Sequence, residues 1–324
     1  MLLIELMKKK VFIDGQSGTT GLQIIQRLEN HPFLDWVQIP DALRKDKQAK
    51  KEYFNSVDLV VLCLPDEAAR ESAALVTDPD TIVVDASTAH RLDADWTYGL
   101  PELSPAQREV IRASKRISVP GCYPTGFILA VAPLVRAGVI PADYPITIQA
   151  VSGYSGGGSR LIDVYQKRAS ASETENSWAF RPYALSLNHK HLPEMKRYAG
   201  LERKPVFVPG VAHIYQGMLV MVPLFSTLLA KAVTRRTIED VWREAYQNEP
   251  FVQICDMEGE GILEDGFLSP ATCNQSNRVE LMVFGHDEQI LLAARLDNLG
   301  KGASGAAVQN INILLDIDEQ TGLV

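Results

Sequence analysis

Cys122 lies in the run Ser118-Val119-Pro120-Gly121-Cys122-Tyr123-Pro124-Thr125-Gly126, between a short β-branched stretch and the apolar run Phe127-Ile128-Leu129-Ala130-Val131-Ala132. The apolar run has helical composition and Thr125 is suited to cap it, so the thiol is expected just before a helix N-terminus. Unpaired N–H groups and the helix dipole favour an anion there, and the thiolate is the nucleophilic form of cysteine. The competing reading is a small buried hydrophobe. A cysteine nucleophile also needs a group that takes its proton and later returns one. The segment Asn188-His189-Lys190-His191-Leu192-Pro193-Glu194 offers two histidines, and Pro193 suits a first helical turn, which places both in the loop just before a helix. One of them as acid/base, with the other supporting it or touching substrate, is the favoured reading. His213, in a turn bounded by Gly and Pro, is a rival, and His90 beside Arg91 is a candidate for substrate or cofactor contacts. No third ligand accompanies the histidine pair at a suitable spacing, so no metal is expected.

A second constellation, Asp14-Gly15-Gln16-Ser17-Gly18-Thr19-Thr20-Gly21, follows the first predicted strand and opens the first predicted helix. Glycines at such a turn let a pyrophosphate approach the helix N-terminus. The spacing is Gly-x-x-Gly-x-x-Gly rather than the usual Gly-x-Gly-x-x-Gly, so its place in the first βα turn carries much of the argument. Past the second strand, Arg44 and Lys45 could hold a ribose 2′-phosphate and favour NADP, while Asp41 keeps NAD open. The stretch Ser152-Gly153-Tyr154-Ser155-Gly156-Gly157-Gly158-Ser159, followed by Arg160, is either a backbone-amide nest for a phosphate or carboxylate or a plain turn.

These residues need elements to position them. The first third alternates strand and helix, with strands at 11–13, 36–39, 57–64 and 82–84 and helices at 21–28 and 67–76. Strands without polar alternation, separated by helices, predict a parallel sheet covered on both faces. After about Pro145 the pattern changes to strands at 146–151, 216–224 and 251–255 and a hairpin of 278–284 with 290–296, which predicts a mostly antiparallel sheet. Residues 237–240 read as a capping box opening a helix over 241–247, and an amphipathic helix covers 306–315. The fold class is therefore α/β: a Rossmann-type dinucleotide-binding domain plus an α+β catalytic domain. The expected boundaries are 8–121, completed by 298–324, and 122–297.

Composition narrows the function. A chain of 324 residues suits two domains, since one core stops growing near ~250–300 residues. The net charge of −8, with no basic stripe, argues against a nucleic-acid surface. Four cysteines without a CxxC pair or disulfide framework fit a reducing, cytoplasmic setting. No apolar stretch is long enough to span a bilayer. Residues 1–7 precede Lys8-Lys9-Lys10, the reverse of a signal peptide's charge order, which leaves Met7 as an alternative start.

Taken together, Gly15-Gln16-Ser17-Gly18-Thr19-Thr20-Gly21, Val119-Pro120-Gly121-Cys122-Tyr123-Pro124-Thr125, Val151-Ser152-Gly153, His189-Lys190-His191-Leu192-Pro193-Glu194 and the run from Asp297 to Asn310 resemble the N-acetyl-gamma-glutamyl-phosphate reductases of arginine biosynthesis, relatives of aspartate-semialdehyde dehydrogenase. The shorter, type 2 branch is the better match: Asp85-Ala86-Ser87-Thr88-Ala89-His90-Arg91 stands where the longer branch shows Ala-Asp-Phe-Arg. The resemblance implies that Cys122 attacks an acyl phosphate, expels phosphate and carries a thioester that NADPH reduces to a semialdehyde. It implies His189 as acid/base. It assigns Gly15, Ser17, Gly18, Thr19, Thr20, Gly21, Arg44, Pro65, Ser87, Asn298 and Gly302 to the cofactor, and Ser152, Gly153, Arg91, His191 and Glu194 to the substrate. It further implies a small-molecule acyl phosphate substrate and a homo-oligomer, dimer or tetramer, with neither nucleic acid nor membrane as partner. Two alternatives stand beside it. One is a reductase of an aspartyl or aminoadipyl phosphate, although the aspartyl type normally has Asn where Gly121 stands. The other is a non-enzymatic NADP-sensing regulator, which would need neither Cys122 nor His189.

Overall fold

The computed structural model describes residues 8–44, 46–169, 178–230, 233–256, 261–286 and 288–323. Residues 1–7, Lys45 and the side chain of Asp41 lie outside them. The chain divides into two units: Met1–Pro101 with Ala106–Pro120 and Ala303–Leu323, and Glu102–Pro105 with Gly121–Gly302. Residues 298–302, expected with the cofactor domain, thus fall in the second unit, as does the short segment Glu102–Pro105.

The first unit holds β1 (Lys9–Asp14), α1 (Thr19–Leu28), β2 (Leu34–Val37), α2 (Lys47–Phe54), β3 (Leu59–Leu62), α3 (Asp66–Leu75), β4 (Ile82–Asp85), β5 (Thr97–Tyr98), α4 (Gln107–Arg112) and β6 (Arg116–Ser118). Its strands are ordered β2-β1-β3-β4-β6-β5, all parallel. Every residue of β3 and β4 is buried, as their Val/Leu/Ile composition requires of a sheet covered on both faces. Successive residues feed opposite layers. Val11, Ile13, Leu59 and Val61 pack with Ile24 and Leu28 of α1, and Phe12, Val60 and Leu62 pack with Phe54 on the other side. The first of these layers also takes Ala307, Val308 and Ile311 from the last helix, α9 (Gly305–Leu314).

β2 begins and ends two residues before the predicted 36–39. Leu34 belongs to the core, while Pro40, which cannot donate to a ladder, already opens a turn through Leu43 N–H to its carbonyl at 2.8 Å. The strand order reverses at β1 and β3, the place where open α/β sheets leave a crevice at the strands' carboxyl ends.

The second unit holds α5 (Cys122–Arg136), β7 (Thr147–Gly153), α6 (Gly158–Ala169), β8 (Phe180–Pro182), α7 (Leu192–Ala199), β9 (Val206–Ala212), β10 (Met218–Phe225), α8 (Arg235–Tyr246), β11 (Val252–Ile254), β12 (Val279–Gly285) and β13 (Gln289–Leu296). The sheet order is β11-β12-β13-β10-β7-β9-β8. It is mostly antiparallel, but β7–β9 and β11–β12 pair in parallel. Parallel neighbours need a long crossover, and the β7–β9 crossover carries α6, β8, α7 and both candidate histidines.

α5 is apolar on every side and buried from Tyr123 to Leu134, as a helix enclosed by other elements must be. Gly126 lets it lie close to the sheet, since a Cβ there would stand 3.1–3.3 Å from Leu296, Val220 and Ala294. Pro133 removes the N–H that would bond Leu129, and the Tyr246 hydroxyl donates to that carbonyl at 2.7 Å instead. The Trp242 indole donates to Ala130 O at 2.9 Å.

Two expected caps are corrected. The capping box of α8 is Thr234 with Thr237, not Thr237 with Asp240, because the helix begins at Arg235 and puts Thr237 at its third position. Thr125 caps nothing: α5 begins at Cys122 with Gly121 as N-cap, and the Thr125 hydroxyl donates back to Gly121 O at 2.9 Å.

Candidate active site

Starting α5 at Cys122 puts the thiol in the helix's first turn, among the N–H groups that have no partner within the helix. Cys122 is partly exposed. The other cysteines are held protonated by burial, which pushes Cys63 and Cys273 up to about 12 and Cys255 up to about 11. The turn before the thiol is fixed from α7, where the buried Glu194 carboxylate accepts the Gly121 N–H at 3.3 Å. Glu194 therefore bonds the backbone of the residue just before Cys122. Gly302 lies against the thiol-bearing residue from behind: a Cβ there would come within 2.8 Å of Cys122 Cβ.

His189 and His191 occupy the loop before α7 as predicted, with His191 as N-cap and Pro193 in the first turn. The His191 N–H donates to His189 Nδ1 at 3.1 Å, so the neutral ring carries its proton on Nε2. The Tyr183 hydroxyl stands 3.4 Å from that Nε2. Burial, and then the Lys190 ammonium, lower the His189 pKa to about 4. Rings of Tyr123, Tyr183, Phe207 and His191 surround the imidazole. Tyr183 links the two candidates: burial pushes its phenol up to about 12, and the nearby Cys122 contributes in the same direction. Tyr123 is raised by burial, then by Tyr183 and Cys122, and hydrogen-bonds Ser152. His213 packs instead with Tyr154 and Tyr165.

The glycine-rich stretch is less of a nest than its composition suggests. The N–H groups of Gly153, Tyr154 and Ser155 donate to the carbonyls of Gly217, Ile214 and Tyr215, and that of Gly158 to Ser155. A side chain at Gly153 would collide with Tyr215 O at 2.5 Å, so this glycine serves close backbone approach. Ser152 is buried, with its hydroxyl on Gly153 O at 3.1 Å. Asn298 also turns inward, accepting Gly217 N–H at 2.8 Å and donating to Ser155 Oγ at 3.0 Å.

In the first unit, the turn from Gly15 to Gly21 joins β1 to α1, whose N-cap is Gly18. Gly15 has φ +89°, and a Cβ on it would sit 2.2 Å from Cys63 O; one on Gly21 would sit 2.4 Å from Gly15 O. Only glycine fits these two positions. The result is a turn lying against β3, with Ser17 exposed and Gly18, Thr19 and Thr20 partly exposed at the helix N-terminus. That is the cradle a pyrophosphate requires, so the residues fit a dinucleotide. Asp14 braces the turn by accepting from Lys50 at 2.8 and 2.9 Å and Ser72 at 2.8 Å. Pro65 caps α3, and Arg44 is partly buried after the turn that follows β2.

Beyond β4, Ser87 and His90 both bond the buried Asp85 at 2.7 Å, and the His90 ring stacks on Trp96 at 3.9 Å. Arg91 donates to Val119 O at 2.9 Å and Ala86 O at 3.4 Å, holding the strand end that leads to Pro120. Sequence reasoning missed Tyr183, Asp85 and Trp96: each is defined by a partner set that no local motif announces.

Among the described residues no cluster of three or more His, Cys, Asp or Glu side chains could hold a metal, and no helix is long and apolar enough to cross a membrane.

Comparison with known proteins agrees with this arrangement. Residues 37–111 match the family described as semialdehyde dehydrogenase, NAD binding domain, and residues 122–298 match semialdehyde dehydrogenase, dimerisation domain. N-acetyl-gamma-glutamyl-phosphate reductase 2 of Nostoc sp. is 46% identical over 98% of this chain and 99% of its own. That of Pseudomonas putida is 45% identical over 94% and 96%. Among solved structures, aspartate semialdehyde dehydrogenase II of Vibrio cholerae superposes with a TM-score of 0.71 at 16% identity, covering 95% of this chain and 98% of its own, a likeness of fold. The chain belongs to the N-acetyl-gamma-glutamyl-phosphate reductase family, built on the semialdehyde dehydrogenase fold.

Proposed function

We propose that this chain is an NADPH-dependent reductase that converts N-acetyl-glutamyl 5-phosphate to N-acetyl-glutamate 5-semialdehyde through a thioester on Cys122, a step of arginine biosynthesis. One observation carries the reading: a thiol in the first turn of α5 shares the Tyr183 hydroxyl's surroundings with a half-buried, neutral imidazole.

Cys122 Sγ forms a bond to the acyl carbon, the carbon–oxygen bond to phosphate breaks, and inorganic phosphate leaves with the bonding pair. His189, neutral above about pH 4, takes the thiol proton on Nδ1, giving up the His191 N–H bond to that nitrogen. The first-turn N–H groups of α5 stabilise the negative oxygen that develops at the acyl carbon. NADPH, when bound, supplies the hydride that takes the thioester to the aldehyde level. His189 then returns its proton as the carbon–sulfur bond breaks and Cys122 is restored. Gly15, Ser17, Gly18, Thr19, Thr20 and Gly21 hold the pyrophosphate, Arg44 the 2′-phosphate side, and Pro65 and Ser87 line the path of the cofactor. Asn298 shapes its part of the site through its bonds to Gly217 and Ser155, and Gly302 through its contact with Cys122. Ser152, Gly153, Arg91 and His191 face the substrate, and Glu194 fixes the nucleophile's turn. The enzyme works as a cytoplasmic homo-oligomer with no nucleic-acid or membrane partner.

The test is phosphate-dependent reduction of NADP in the reverse direction. Activity with N-acetyl-glutamate semialdehyde and none with aspartate semialdehyde is expected. Wild-type turnover in Cys122→Ser would overturn the covalent route.

A further inference from the structure

Lys301 is completely buried, and its ammonium lies 2.6 Å from Glu102 Oε1, whose side chain is equally buried. The Phe251 ring centre stands 5.6 Å away. Buried lysine is rare without a partner. A buried ion pair roughly cancels its own desolvation cost, so such a pair is better explained by the arrangement it imposes than by the stability it adds.

Here the arrangement is local. Lys301 sits inside the π-helical turn Gly300–Ser304, and turns of this kind are frequent at functional sites. The turn is closed by the Gly302 N–H on Asp297 O, five residues back, at 2.9 Å. Its entry is pinned. The Asp297 carboxylate accepts the N–H groups of Leu299 and Gln275 at 2.9 and 2.7 Å and the Gln216 amide at 2.8 Å. Asn298 is tied to Gly217 and Ser155. Lys301 anchors the turn in another direction, to a segment 199 residues away in sequence. The next residue, Gly302, is the one packed against Cys122.

We propose that Lys301 and Glu102 are positioning residues for the nucleophile: their buried ion pair holds the turn so that the Gly302 backbone braces Cys122 and fixes the direction of its thiol. This rests on the reading of Cys122 as nucleophile. Misplacing a reacting group by ~1 Å costs ~10²-fold in rate, so a loosened turn shows in the chemical step before it shows in binding.

The experiment compares full-length wild type with Glu102→Gln, which keeps the side chain's shape, and Lys301→Met. Glu280→Gln, in the Glu280–Arg295 buried pair of the same unit, controls for loss of a buried ion pair alone. The readouts are kcat and KM in the reverse reaction, and the pH profile of Cys122 alkylation by iodoacetamide, located by peptide mass. Glu102→Gln is expected to lower kcat by ~10–100-fold, to leave KM within about twofold, and to slow alkylation, whereas Glu280→Gln leaves all three near wild type. Folded Glu102→Gln with wild-type kcat and alkylation overturns the proposal, and so does an equal loss of kcat in Glu280→Gln. Cys122→Ser separates the two levels: turnover surviving in it overturns the nucleophile itself, while an inactive Cys122→Ser beside a wild-type Glu102→Gln overturns only the positioning role.

Discussion

The surroundings of His189 keep its imidazole neutral. Burial and Lys190 lower its pKa from 6.5 to about 4, and the His191 N–H on Nδ1 opposes a second ring proton. A neutral imidazole is therefore present throughout the physiological range, and no decline in kcat/KM centred near pH 6.5 is expected from this residue. His189→Asn should lower kcat by ~10²–10⁴-fold, the range for a lost acid/base; a comparable loss confined to His191→Asn would assign the role to the neighbour. The same shift bears on stability. With a folded pKa below the unfolded one, the unfolded chain binds more protons between about pH 4 and 6.5, so stability rises with pH across that window. Urea midpoints at pH 5 and pH 7 should differ less in His189→Gln than in wild type, and an unchanged difference would contradict the assignment. At the cofactor turn, Gly15→Ala forces a side chain into φ +89° and onto a backbone oxygen. Strain of ~1–3 kcal/mol or more should weaken NADPH binding about tenfold in a fluorescence titration.

At the scale of elements, α5 is the part on which the site depends. Its Pro133 is accommodated because Tyr246 donates to the freed Leu129 carbonyl at 2.7 Å. Tyr246→Phe should cost ~1–3 kcal/mol, the penalty of an unpaired buried acceptor, seen as a lower urea midpoint with an unchanged slope. Unchanged stability would mean that the carbonyl finds another donor.

How legible these elements were depended on how local their causes are. The strand–glycine–helix turn at Gly15 and the loop before Pro193 are short-range devices that stand where the residues imply, while Cys122, expected just before its helix, is the first residue of α5. Helix starts were less legible: Thr125 and Thr237 are both good cap formers, yet both lie inside their helices, because the chain before each already adopts helical geometry. Glu102 with Lys301 was not legible at all. The residues are 199 apart in sequence, and only the completed fold brings a glutamate from a short connecting segment to the lysine next to Gly302, which lies against Cys122. The placement of Tyr183 next to His189 is hidden for a related reason, since it depends on the left-handed turns at Ala184 and Leu187.

At the scale of the whole molecule, one face of the second unit's sheet is exposed along β9, β7 and the end of β10, while its continuation at Ala293 and Met282 is buried. Val206 and Val208 on β9 and Phe225 on β10 are apolar and exposed, and Val208 pairs in register with Gln149, which pairs with Met221. An apolar patch on a sheet face is unusual in a monomer, and this region matches a dimerisation domain. Val208→Asp should shift the protein to a lower oligomeric state in light scattering, and an unchanged mass would place the interface elsewhere. The central claim is that Cys122 carries the acyl group. The most direct measurement is the mass of the enzyme after acid quench from N-acetyl-glutamate semialdehyde and NADP without phosphate, which stalls the thioester. An N-acetyl-glutamyl adduct on the Cys122 peptide, absent in Cys122→Ser, is the predicted result; NADPH formed with no adduct, or an adduct that persists in Cys122→Ser, would contradict the account.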